Sequence, residues 1–276
     1  MQLENTTMNS SQKKENSFNQ LILLSVWILV GTVLRFTNLS SKPPWIDEFA
    51  TIVFSLGNSF QVIPLNEIIG IDSLLEPLQI NPNFGVQEVL QKLLTEDIHP
   101  PVYFILSHWW ISFWSGQDFV FQDFIFQDLI FTARSISAIF GILSIPLIYG
   151  LAWLSFRSAL VAQLAAAFMA VSPYGIFLAQ EARHYTLGSL WVIASLCCFV
   201  VAVRQIQQQK SLPITVAILW FIVNGLGIST HYFFSLILFG EAIVLMKYWL
   251  KSESRITNLR LWWTIYAAVI GTIATG

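Results

Sequence analysis

The sequence predicts an all-α, multi-pass membrane protein with one long loop after its first span, and three observations predict it. Hydrophobic residues make up 55% of the 276 and charged residues only 11%, where a soluble domain carries about 25% charge. Mean hydropathy is +0.64. Apolar runs of about the length needed to cross a bilayer recur along the chain, separated by polar turns. The net charge of −2 shows no basic surplus, so no nucleic-acid partner is expected. The two cysteines, Cys197 and Cys198, adjoin in an apolar run, which suits packing and offers neither a disulfide framework nor metal-ligand spacing. Many of the 11 Trp lie near span ends, as in interfacial belts.

The elements follow in order. Residues 1–19 are polar, include Lys13 and Lys14, and read as a cytoplasmic tail. The next run is long enough to span and no small-x-small cleavage pattern follows it, so a signal peptide is not expected. Residues 20–276 read as a transmembrane module of about seven spans: 20–37, 132–155, 158–179, 186–203, 213–231, 232–250 and 260–276. The run 101–115 is short, opens with Pro100-Pro101 and holds His108 and three Trp; runs of that length more often lie in the interface.

Charge asymmetry assigns the sides, because cytoplasmic loops collect Lys and Arg. If 101–115 does not span, Lys13, Lys14, Arg157, Arg204, Lys210, Lys247, Lys251, Arg255 and Arg260 lie inside, and Arg35, Lys42, Lys92, Arg134 and Arg183 outside: nine against five. If it spans, four lie inside and ten outside. The first topology makes 38–131 one extracytoplasmic loop, with interfacial helices expected near 49–57, 86–97 and 101–114. A five-residue repeat, Gln117-Asp118-Phe119-Val120-Phe121 and its copies at 122–126 and 127–131, matches neither helix nor strand period and reads as an expanded connector. The closing run, 260–276, has no polar tail, the pattern expected of a module truncated at its C-terminus.

With the sides assigned, the chemically capable residues fall on one face. Asp47, Glu48 and His99 lie outside; Arg134 sits at the outer mouth of the second span; Gln180-Glu181-Ala182-Arg183-His184-Tyr185 forms one outer turn and Ser229-Thr230-His231 another. Each has a plainer explanation: acids favour helix N-termini, an arginine snorkels to head groups, Glu181 and Arg183 can pair locally, and a histidine at a span end can be an interfacial hydrogen-bonder. Four outer turns carrying such residues together are harder to explain by packing. Arginine forks bind phosphate oxygens, which lie at that depth. A carboxylate can deprotonate a hydroxyl, and His with acid can hold a divalent metal. The combination suits group transfer from a lipid phosphate.

The ordered motifs resemble a known family. An acidic pair, Asp47-Glu48, follows the first span; His99-Pro100-Pro101 opens an interfacial helix; Ala-Arg-x-x-Ser-Ala-x-x-Gly runs from Ala133 to Gly141; Ser172-Pro173 and Gln180-Glu181-Ala182-Arg183-x-Tyr185 close the third span; Thr230-His231-Tyr232 marks a later turn. Over residues 20 to about 250 this resembles the GT-C membrane glycosyltransferases related to protein O-mannosyltransferases and aminoarabinose lipid A transferases (family 39-like). The resemblance implies a GT-C-type helical bundle in the plasma (inner) membrane. It implies an extracytoplasmic active site, a polyprenyl-phosphate-linked sugar donor, and inversion at the anomeric carbon. The acceptor would be a lipid, glycan or protein. It implies Asp47 as general base supported by Glu48, and Arg134 at the donor phosphate. Arg183, His99, Glu181, Tyr185 and His231 would line the same cavity, and a divalent metal is left open. The repeat lengthens the first loop, and the later spans and C-terminal domain of full-length relatives are lacking.

Two other expectations compete. A transporter or flippase places substrate groups near the bilayer midplane, often on inverted repeats; only Glu241 lies well inside a span, and no inverted repeat is visible. An inactive fragment of a transferase would keep the motifs without the activity.

Overall fold

A computed structural model describes the backbone of residues 2–64, 66–115 and 126–251, and the side chains of 18–64, 66–115 and 128–248. Among the described residues all regular structure is helical. The helices are α1 (Gln2–Phe36), α2 (Ile46–Ser55), α3 (Ile71–Leu75), α4 (Val86–Glu96), α5 (Val102–Ser115), α6 (Phe126–Phe156), α7 (Ala159–Val171), α8 (Pro173–Ala179), α9 (Tyr185–Gln207), α10 (Ile214–Ile228) and α11 (Phe234–Lys251).

Among the described residues three helices are long and apolar enough to cross a membrane: the Phe18–Phe36 part of α1, Asp128–Phe156 of α6, and α9. The chain is therefore a helical membrane protein. The span expected at 158–179 is not one straight helix. It breaks between α7 and α8 with a 55° bend, and counts as a fourth span if the bent pair crosses together. The runs at 213–231 and 232–250 form helices of 15 and 18 residues. At 1.5 Å per residue the shorter reaches only about 22 Å. The run 260–276 lies outside the described residues.

The break has a local cause. Pro173 has no N–H, so the Met169 carbonyl four residues back loses its helical donor. Arg35, buried at the end of α1, supplies the replacement: its Nη2 donates to the Met169 carbonyl at 2.8 Å and its Nη1 to that of Ala170 at 3.0 Å. The Ser172 hydroxyl then caps α8 by accepting from the Gly175 N–H at 3.1 Å. Space for the guanidinium comes from Gly141, where a Cβ would stand 2.9 Å from Arg35 Nε.

α6 is the central helix and packs against α1, α5, α7, α8 and α9. At the end of the bundle where α1 finishes and α6 and α9 begin, α2 buries Ile52, Val53 and Leu56 against Ile111 of α5 and Leu129, Ile130 and Ala133 of α6. The three helices expected in the long loop are present, as α2, α4 and α5. α5 has 14 residues, too few to span, and is one-sided: Tyr103, Phe104, Ser107, His108 and Ile111 are buried, while Trp109, Phe113 and Trp114 are exposed.

The pentapeptide repeat is corrected in part. Its third copy, 127–131, is the first turn of α6 rather than connector, because Leu129 and Ile130 bury in the core and Asp128 suits a helix N-terminus. The segment 116–125, which holds most of the first two copies, lies outside the described residues.

Glu241 belongs to a buried polar node joining α9, α10 and α11. Ser195 Oγ lies 2.9 Å from Glu241 Oε1 and 2.7 Å from Asn224 Oδ1, and accepts from Trp220 Nε1 at 3.0 Å. A hydroxyl has one proton to donate, so Asn224 or Glu241 must return a hydrogen bond to it. These contacts account for Glu241 as a helix–helix staple.

Arg35→Ala should destabilise the bundle by about 2–4 kcal/mol, because two buried carbonyls lose charged donors at once. Thermal unfolding of the purified protein in detergent checks this; an unchanged midpoint would show that water replaces the guanidinium.

Candidate functional site

Asp47 and Glu48 occupy the first turn of α2. Consecutive helix residues are turned about 100° apart, so one acid cannot enter the bundle without turning the other outward. Glu48 enters and is 0% exposed. Its Oε1 accepts from Arg134 Nε at 2.6 Å and from the Ala182 N–H at 2.7 Å; its Oε2 accepts from Arg134 Nη2 at 2.8 Å. Arg134 Nη1 donates to the carbonyls of Leu39 at 2.8 Å and Lys42 at 2.9 Å. The pair thus ties together the α1–α2 linker, α2, α6 and the α8–α9 turn.

This geometry alters two sequence expectations. Four of Arg134's five N–H donors are engaged within the protein and the residue is only 2% exposed. A phosphate there would have to break the Glu48 pair. Glu48 has no face open to a substrate, so its part is to hold α2 in place.

Asp47 turns outward and its side chain is 49% exposed. Its partner is Arg183, whose Nη2 stands 3.8 Å from Asp47 Oδ2. Arg183 Nη1 donates to Thr51 Oγ1 at 2.7 Å and to the Asp47 carbonyl at 3.0 Å. The guanidinium also lies 5.5 Å from the Tyr185 ring and 5.9 Å from the Trp45 ring. Its Nε–H is buried without an acceptor. Local pairing of the Glu181 and Arg183 side chains is not found; their link is the Arg183 N–H to the Glu181 carbonyl at 2.7 Å. Burial, followed by the nearby Glu48 charge, raises the pKa of the Glu181 carboxyl.

The histidines converge beside Arg183. A backbone bond from the Val102 N–H to the Ser229 carbonyl, 3.0 Å, joins the start of α5 to the α10–α11 turn. His99 and His231 are thereby brought to either side of His184, with ring centroids 5.6 and 4.6 Å from it. His99 Nδ1 is 2.7 Å from Asp97 Oδ1. His231 Nδ1 accepts from the Phe233 N–H at 3.1 Å, which leaves its Nε2 to carry the proton. Ser137 braces the turn from α6: its hydroxyl donates to the Arg183 carbonyl at 3.0 Å and meets the Tyr103 hydroxyl at 2.7 Å.

Sequence reasoning passed over His184, reading it as the variable position in Gln180-Glu181-Ala182-Arg183-x-Tyr185. It is 2% exposed and neither ring nitrogen has a partner. Burial pulls its imidazole down to about 3, reinforced by the positive charge of Arg183, His231 and His99. The same causes, burial first, lower His231. The signal was present as a third histidine at a third turn.

His184, Tyr185 and His231 line a cavity of about 320 Å³ between α9 and the head of α11. A second cavity, about 390 Å³, lies in the long loop beside Asn58, Glu76 and Lys92 and touches none of the expected site residues. Among the described residues no three His, Cys, Asp or Glu side chains are arranged to hold a metal ion. No protein-family model, curated protein or solved structure matches the chain.

The two acids should separate in a stability measurement. Glu48→Gln leaves Arg134 buried without its counter-charge and should destabilise by about 3–5 kcal/mol. Asp47→Asn, at a half-exposed position, should stay within about 0.5 kcal/mol of the parent. Equal losses in detergent thermal melts would contradict this division of roles.

Proposed function

We propose that the chain is an integral-membrane glycosyltransferase that moves a sugar from a polyprenyl-phosphate donor to an acceptor hydroxyl at the extracytoplasmic face of the plasma membrane, within a GT-C-type bundle. The observation that carries this reading is the Asp47–Arg183 arrangement. A half-exposed carboxylate stands 3.8 Å from a guanidinium that Thr51 and the α2 backbone hold in place. A base and a phosphate clamp then share one mouth.

In this mechanism Asp47 accepts the proton of the acceptor hydroxyl as its oxygen bonds to the anomeric carbon. The bond from that carbon to the phosphate oxygen breaks on the opposite face, inverting the centre. The leaving phosphate keeps the electron pair, and Arg183 stabilises its charge. Arg183 takes the role that the motif order assigned to Arg134, because its Nε–H has no acceptor and its contact with Asp47 is loose. Tyr185 and Trp45 flank the guanidinium and fix its plane. Glu48 acts through α2, as a positioning residue.

The test is transfer from polyprenyl-phosphate sugars by reconstituted protein, with products identified by mass spectrometry. Asp47→Asn should lower turnover about a hundred- to ten-thousand-fold, and Arg183→Lys, which keeps charge but loses the fork, about a hundredfold or more. Undiminished turnover in Asp47→Asn would remove it as the base.

A further inference from the structure

The cavity of about 390 Å³ in the long loop lies at the far end of α2 from Asp47. Its size falls in the range of small-molecule sites. Its walls come from the turn after α2, from the segment 76–84 and from α4. Hydrogen bonds within the protein tie these segments together. Asn58 Nδ2 donates to the Pro77 carbonyl at 2.7 Å and to the Gln79 carbonyl at 2.8 Å. The Ser59 hydroxyl donates to Glu96 Oε2 at 2.7 Å, and Lys92 Nζ donates to Glu96 Oε1 at 3.2 Å. Gly57 closes the turn onto α4 at φ +76°; a Cβ there would stand 3.0 Å from Glu88 Cβ and 3.3 Å from Phe84 Cδ2.

What this network leaves over sets the chemistry of the cavity. Phe84 and Ile80 supply apolar surface. Glu76 and Gln79 line the cavity, and their side chains have no hydrogen-bond partner among the described residues. Asn81 accepts from the Asn83 N–H at 3.0 Å and keeps its amide donors. Glu96 offsets the charge of Lys92 and takes one of its three N–H donors. An anion entering here meets Glu76 and Glu96. A hydrocarbon would bury the polar groups unpaired. A neutral polyol with one apolar face meets neither cost: its hydroxyls donate to Glu76 and exchange hydrogen bonds with the amides, and its C–H face lies on the negative face of the Phe84 ring. A pyranose ring has that shape.

We propose that this cavity binds a neutral oligosaccharide, with one ring against Phe84 and its hydroxyls on Glu76, Gln79 and Asn81. α2 has 10 residues, about 15 Å at 1.5 Å per residue, and carries Asp47 at one end and the cavity at the other. The cavity's use as the remote subsite of an extended glycan acceptor rests on the transferase reading; the binding site itself rests on the cavity and its lining.

The full chain is prepared in octaethylene glycol dodecyl ether, because a maltoside head group could itself occupy the cavity. Saturation-transfer NMR is recorded with maltotriose, cellotriose, mannotriose and triacetylchitotriose. At least one should bind, with saturation strongest on the protons of one ring. Trigalacturonate, of similar size but anionic, should bind at least about tenfold more weakly than that trisaccharide. Glu76→Ala, at an exposed position, should weaken its binding about tenfold or more, since a hydrogen bond to a charged group is lost. Phe84→Leu, which keeps apolar volume and loses the ring, should weaken it about two- to tenfold. Asp47→Asn should leave binding unchanged.

No binding by any of the four trisaccharides, tighter binding of trigalacturonate, or binding unchanged in both Glu76→Ala and Phe84→Leu overturns the proposal. If sugar transfer is found without saccharide binding, the transferase reading stands and this site falls. If binding maps to the cavity in a protein that transfers no sugar, the site stands and the transferase reading falls. Where both hold, Gln79→Ala should raise KM for the glycan acceptor and leave kcat unchanged, as loss of uniform binding does. An unchanged KM there removes the cavity from the acceptor's path.

Discussion

Glu48 and Arg134 form the contact on which the arrangement of this end of the bundle depends. Burying either charge alone would cost several kcal/mol, and together they repay it only with their remaining hydrogen-bonding groups satisfied. Here Glu48 receives three donors and Arg134 gives four, two of them to the linker leaving α1. The pair fixes not only where α2 lies but how it is rotated. With Glu48 pinned inward, the helical turn of about 100° per residue leaves Asp47 at the mouth. Thr51, one turn on, faces Arg183. A neutral pair of equal size would hold the helix without setting its rotation so strictly.

Three arginines in this region do different work, and counting their donors separates them. Arg35 is committed to the Met169 and Ala170 carbonyls at the α7–α8 break. Arg134 is committed to Glu48 and to the α1–α2 linker. Arg183 combines fixed anchors with an N–H that has no acceptor and stands beside a half-exposed carboxylate, whereas Arg35, whose Nε–H also lacks an acceptor, is buried among backbone carbonyls. All three look alike in sequence, as basic residues near span ends. What distinguishes them is the backbone that reaches each one, and that depends on turns far away in the chain.

The same distinction explains what was legible in advance. The long apolar helices could be read because hydropathy over 18 or more residues leaves few alternatives, and α2, α4 and α5 because each is bounded by proline, glycine or acid. That the two acids would diverge was also readable, from helix geometry alone. Which one would enter was not, since it depends on where Arg134 of α6 meets α2. The role of the 127–131 repeat copy was missed because its burial comes from contacts with Ile52 and Val53, not from its own period. His184 was missed for a related reason. Its partners arrive through the Val102–Ser229 backbone bond, which no side chain announces.

The contrast between Arg134 and Arg183 bears on how charge can be used at this site. An incoming anion at Arg134 would compete with two short charged bonds and leave Glu48 buried without its partner, which no single phosphate contact offsets. Arg183 faces a different competitor. Its nearest carboxylate is half exposed and 3.8 Å away, beyond hydrogen-bond length, and such screened pairs contribute about 0–1 kcal/mol. Its charge is therefore available to a ligand at little loss, while Thr51 and the Asp47 carbonyl keep it in place. The weak pair also leaves the Asp47 carboxylate open to solvent. On the proposed reading a strong Asp47–Arg183 pair would have silenced both groups, and the inward strong pair and the outward weak one divide structure from chemistry between two neighbouring residues.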